Sequence, residues 1–126
     1  MTYEAAEKSF DAGDYAGAAR SYESYLGAGV AENRDRALFR AALAHALARE
    51  TADDGGESRA LFQRLVAQYP ASTYAAPANL ILKLQADVET LQGNLKDQQA
   101  KVKTLAEELK RLKDIDMRRR PSRPPP

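Results

Sequence analysis

His45 is the one side chain in this sequence suited to proton transfer near neutral pH, and the groups such chemistry needs are not grouped around it. There is no second histidine and no cysteine to share a metal with it. A Ser–His–acid relay is formally possible, but no Gly-x-Ser-x-Gly turn accompanies it. His45 therefore reads as a face residue of an Ala-rich helix. The acidic run Asp53-Asp54-Gly55-Gly56-Glu57 lacks the alternating ligand spacing and closing bidentate Glu of a calcium loop, and reads as a solvated turn. Gly27-Ala28-Gly29 follows a helical pattern and not a strand, the wrong context for a phosphate-binding loop. No catalytic, cofactor-binding or metal residue is assigned. The expectation is a protein that is not an enzyme and uses no cofactor.

Two further groups of residues bear on binding. Tyr3, Tyr15, Tyr22, Tyr25, Tyr69 and Tyr74 could line a ligand groove, but their spacing matches packing positions between helices, which is the reading adopted. Arg118, Arg119, Arg120 and Arg123 form a basic cluster able to meet an anionic surface, or simply to keep the end of the chain soluble. Both readings stand. No aromatic residue interleaves with these arginines, which argues against stacking on single-stranded nucleic acid.

The bulk charge agrees. The formal net charge is +1, with 29% charged and 44% apolar residues, so nothing global points to nucleic acid. Charge is unevenly placed. From Lys101 onward nine basic residues meet four acids, leaving that end about +5 and the rest about −4. No stretch reads as a signal peptide or as the ~20 apolar residues of a membrane span. That leaves a cytoplasmic protein, or a mature envelope protein whose leader has been removed.

The elements that carry these residues are all helical. Residues 2–12 form a first helix capped by Thr2, with Tyr3, Ala6 and Phe10 on one face. Gly13-Asp14 breaks it, and residues 15–26 form a second, ending at Gly27-Ala28-Gly29. Residues 34–50 make a third, with Leu38, Phe39, Ala42, Leu43, Ala46 and Leu47 apolar. A loop at residues 51–57 leads to a fourth at residues 58–69, with Leu61, Phe62, Leu65 and Val66 inward, closed by Pro70. Ser72 can cap the last helix, which tolerates Pro77 only near its first turn.

That last helix carries the strongest pattern in the chain. Ile81, Leu84, Val88, Leu91, Leu95, Gln98, Val102, Leu105, Leu109 and Leu112 follow one another in steps of three and four. An apolar repeat of 3.5 residues over several heptads is the mark of a coiled coil. Gln98 is its one polar member, costing stability but able to set register. The flanking positions Asp87, Gln92, Asn94, Gln99, Lys101, Glu108 and Lys113 are partly charged, and Glu108 and Lys113 have the spacing of an interhelical pair in a parallel dimer. From about Ser72 to Ile115, about 44 helical residues would extend roughly 66 Å. Beyond Asp116 the prolines bar a helix, and residues 117–126 are expected to form a disordered or polyproline-like basic tail.

Phe10…Gly13-Asp14-Tyr15…Ala18…Tyr22 resembles the centre of a tetratricopeptide repeat. Leu61-Phe62…Leu65…Tyr69-Pro70…Ser72…Tyr74-Ala75…Ala78 resembles the tetratricopeptide-type repeats of bacterial envelope lipoproteins. The resemblance implies about two repeats and the first helix of a third. Residues 105–121 (Leu105…Leu109…Leu112…Ile115…Arg120-Pro121) resemble the end of the QseG family, outer-membrane lipoproteins found with envelope-stress histidine kinases. That second resemblance implies a periplasmic, outer-membrane-associated protein, tethered through a lipidated cysteine absent from this sequence, that contacts a kinase sensor region.

The expected architecture is all-α. Residues 1–83 would form a tetratricopeptide-like domain of helical hairpins, residues 84–116 a coiled-coil extension of the last helix, and residues 117–126 the tail. The expected role is an adaptor that binds protein partners through the repeats and the coil, self-associates, or engages a histidine kinase sensor domain. The alternative is a structural oligomerisation or spacer element. Membrane contact would come only through a lost lipid anchor or the basic tail.

Overall fold

Short polar residues set the helix boundaries. The computed structural model describes residues 2–48 and 56–119. Thr2 opens α1 (Tyr3–Asp11): its hydroxyl accepts the Ala5 N–H at 3.1 Å, and Glu4 and Lys8 lie at the helix ends that favour their charges. Gly13 then takes a positive φ of 84°, which an L side chain resists. Asp14 caps α2 (Tyr15–Gly27) by accepting the Gly17 N–H at 3.0 Å. A Cβ at position 17 would collide with that carboxylate, so the glycine and the cap belong together. After Gly29, at φ 74°, the link to α3 (Arg34–Ala48) is held by side chains. The Arg34 guanidinium donates to the Leu26 and Val30 carbonyls, and the Tyr25 hydroxyl donates to the Glu32 carbonyl at 2.6 Å. These bonds satisfy the Val30 and Glu32 carbonyls of the link and tie Arg34 back to the end of α2.

The helix α4 (Gly56–Gln68) starts earlier than the sequence suggests, taking in Gly56 and Glu57, which were expected in the loop. Glu57 favours the positive end of the helix, and its carboxylate also meets His45. The remainder of that expected loop, with Asp53 and Asp54, lies outside the described residues, as do Arg49 and Glu50. Ser72 organises the start of α5 (Ala75–Arg119): its hydroxyl accepts the Tyr74 N–H at 3.1 Å and donates to Asp35 at 2.6 Å. Pro77 is the third residue of α5, where the missing N–H has no intrahelical partner to lose. At its far end α5 continues through Met117, Arg118 and Arg119, three residues into the expected tail. No proline or glycine lies between Asp116 and Arg119 to forbid this.

The architecture is all-α: successive helices pack as hairpins, α1 on α2, α2 on α3 and α3 on α4, with a long final helix, and no strand occurs among the described residues. Alanines make the close approaches. Ala6, Ala18, Ala37, Ala41, Ala42 and Ala44 are fully buried, so neighbouring backbones meet without large side chains between them. Tyr22, Leu38, Phe62 and Leu65 fill the remaining space, each worth about 1.5–3 kcal/mol of burial. Ala75 and Ala78 are buried too, and Ile81 and Leu82 pack against the same core. By internal contacts the chain divides into Met1–Ala86 and Asp87–Pro126.

Candidate interaction surface

Helix α5 has no proline after Pro77, and Gly93 is its single glycine. An unbroken helix turns steps of three and four into one face. Leu84, Val88, Leu91, Leu95, Val102, Leu105, Leu109 and Leu112 all lie on that face, each between 47% and 65% exposed. Gln98 is exposed in line with them. Ile81 does not belong to the free seam. It is half buried and packs against the domain core, so the seam begins at Leu84. The physical reason is the side each residue faces: Ile81 and Leu82 turn toward the core, and Gln85 donates to Ser58 on α4, whereas Leu84 turns away from it.

Scattered exposed leucines are ordinary, but a continuous stripe of eight on one helix is not. Covering even half of the exposed area of each would contribute on the order of 10 kcal/mol before the cost of association. The arrangement's chemistry is apolar contact along a line, with charged residues on the flanks.

Arg118 and Arg119 occupy the last turn of α5 and are exposed, where their charge favours the helix C-terminus. Arg120 and Arg123 lie outside the described residues. The tyrosines are used in packing: Tyr22 and Tyr25 are buried, and Tyr3, Tyr15, Tyr69 and Tyr74 pack against the core. Tyr3 lies 5.2 Å from Tyr25 and 5.9 Å from Tyr22 between ring centres, and Tyr74 lies 5.2 Å from Phe39.

Two polar clusters escape linear reading. Glu7 on α1 meets Arg40 at 2.8 Å and Arg36 at 3.3 Å, while Arg40 stands over the Phe10 ring. Beside them the Tyr22 hydroxyl lies near Arg40 and Glu7 without a hydrogen bond of acceptable geometry, and burial pushes its pKa up to about 12. Burial also raises Tyr3, with Glu7 adding to the effect. The second cluster is at His45. Its Nε2 lies 2.6 Å from Glu23 and its Nδ1 2.9 Å from Glu57, tying α2, α3 and α4 together. The ligand atoms of these three residues fall within 4.8 Å of one another. The two carboxylates address opposite ring nitrogens, so one imidazole bridges them. Neither nitrogen is left for a serine hydroxyl. The residues are 22 and 12 positions apart, and no spacing rule would pair them.

No family model, no curated protein and no solved structure matches this chain. Among the described residues no helix is long and apolar enough to cross a membrane.

Proposed function

We propose that this protein is a non-enzymatic adaptor whose work is protein–protein contact, with the seam of α5 as the main contact surface. The observation that carries this reading is the line of exposed apolar residues from Leu84 to Leu112. The helical hairpins of residues 2–86 would supply the second surface. The double variant Leu95→Asp, Leu105→Asp tests it. Two carboxylates on the seam should abolish association by sedimentation and partner capture while leaving the fold of residues 2–86 intact. If association and binding persist unchanged, the seam is not the contact surface.

The sharper form of the reading is an accessory of a bacterial envelope histidine kinase, supported by the resemblance of residues 105–121 to the QseG family. Titrating a labelled kinase sensor domain with the protein should then give saturable binding that the double variant loses. A second reading, a structural oligomerisation or spacer element, is favoured by the 45-residue length of α5. A spacer would assemble alone into a fixed oligomer over a wide concentration range and bind no third component.

A further inference from the structure

We infer that the seam of α5 is built for a second copy of this chain, joined as a parallel, in-register, two-stranded coiled coil over residues 84–112. This rests on the reading that the seam pairs, and goes on to name its occupant and direction.

The heptad assignment follows from the step order, three residues from a to d and four from d to a. It places Val88, Leu95, Val102 and Leu109 at a, and Leu84, Leu91, Gln98, Leu105 and Leu112 at d. β-Branched residues at a with leucine at d favour two parallel strands, whereas isoleucine at d favours larger assemblies. Here leucine fills every d position except Gln98, and valine takes two of the four a positions. The e and g positions are Gln92, Gln99, Ala106 and Lys113, and Asp87, Asn94, Lys101 and Glu108. Ala106 is the only apolar residue among them. The apolar stripe is therefore one seam wide, enough for one partner helix and not for three.

Gln98 decides direction and register. In a parallel pair in register it faces its own copy, and two carboxamides satisfy one another as donor and acceptor. In an antiparallel pair each Gln98 instead faces Leu95 or, in the other register of equal overlap, Val102, and a one-heptad slip of the parallel pair sets it against Leu91 or Leu105. Either leaves buried amides without partners. Charge agrees. Parallel pairing brings Glu108 to Lys113 of the other copy, twice, with no like charges among the remaining g–e pairs. Antiparallel pairing brings Asp87 against Glu108, twice, in one register and Lys101 against its own copy in the other. Parallel pairing does gather Arg118 and Arg119 of both copies at one end, but salt screens exposed charges over about 8 Å at physiological strength.

The sequence has no cysteine, so one introduced thiol reports the geometry cleanly. Leu105→Cys in the full chain is measured by sedimentation equilibrium and then oxidised in a glutathione buffer. The expected result is a dimer that becomes disulfide-linked almost completely, because residue 105 meets itself. In an antiparallel dimer residue 105 faces residue 88 or residue 95, and the two thiols stand about 25 Å or about 15 Å apart, out of reach either way. A dimer that does not cross-link overturns the parallel register while leaving seam pairing in place. A monomer overturns both, and a species heavier than a dimer overturns the two-stranded assignment. Gln98→Leu tests the register lock: it should tighten the dimer about tenfold and allow disulfides between Leu105→Cys and Leu112→Cys chains that the native Gln98 prevents. Weaker association with no slipped cross-link would remove Gln98 from that role.

Discussion

Tyr22 shows how burial alone shapes a residue's behaviour. Its ring is enclosed by α1, α2 and α3, and its phenol titrates near 12 instead of 10. The raised value means the fold prefers the neutral phenol. That contribution is fully present below pH ~10 and is lost as pH rises through about 12. Urea denaturation followed from pH 8 to pH 11 should therefore show stability falling above pH ~10, and Tyr22→Phe should make the fall shallower, with Tyr3, also raised, carrying the rest. The hydroxyl lacks a hydrogen-bond partner, so the phenylalanine variant should be close to native stability at pH 7. The bridge at His45 is a different case. Glu23 and Glu57 are largely exposed, and solvent screening limits what such pairs contribute. His45→Ala should cost no more than about 1 kcal/mol in chemical denaturation.

At the scale of elements, the joints are held by single polar side chains. Ser72 links the start of α5 to Asp35 at the start of α3 through one hydroxyl that both donates and accepts. Ser72→Ala leaves the Asp35 oxygen without that donor and should cost about 1–2 kcal/mol, read from the midpoint of urea unfolding. Gly93 offers the opposite test. It sits on the outer face of α5, away from the seam, and an added Cβ meets nothing within 4 Å. Gly93→Ala should stabilise α5 by about 1 kcal/mol, seen as a later helical melt by circular dichroism, with unchanged association. Helix starts and stops were legible because each depends on local chemistry, as Thr2, Gly13 and Asp14 show. The start of α4 and the reach of α5 past Asp116 were not, because Glu57 is drawn into the helix partly by a partner from α3, and no proline or glycine between Asp116 and Arg119 marks a stop.

For the whole molecule, the division near Ala86 separates two ways of making a helix stable. Residues before it have a buried core on which to fold. Along residues 87–119 the large apolar side chains are exposed, so that part of α5 gains burial only when a partner covers the seam. Dilution below the dissociation constant of the dimer should therefore reduce the helical signal of residues 87–119 and spare that of residues 2–86, a difference that amide hydrogen exchange resolves by position. The all-α class, the hairpin order and the seam could be read from sequence because apolar periodicity, glycine breaks and caps are short-range features. Tertiary structure alone decided which residues of one continuous pattern remain free. Ile81 and Leu84 both belong to the apolar repeat, yet Ile81 packs into the core and Leu84 faces solvent. It also assembled Glu23, His45 and Glu57, and Glu7 with Arg36 and Arg40, from helices far apart in the chain. Periodicity says which side of a helix is apolar. Which part of that side is covered depends on where the neighbouring helices end.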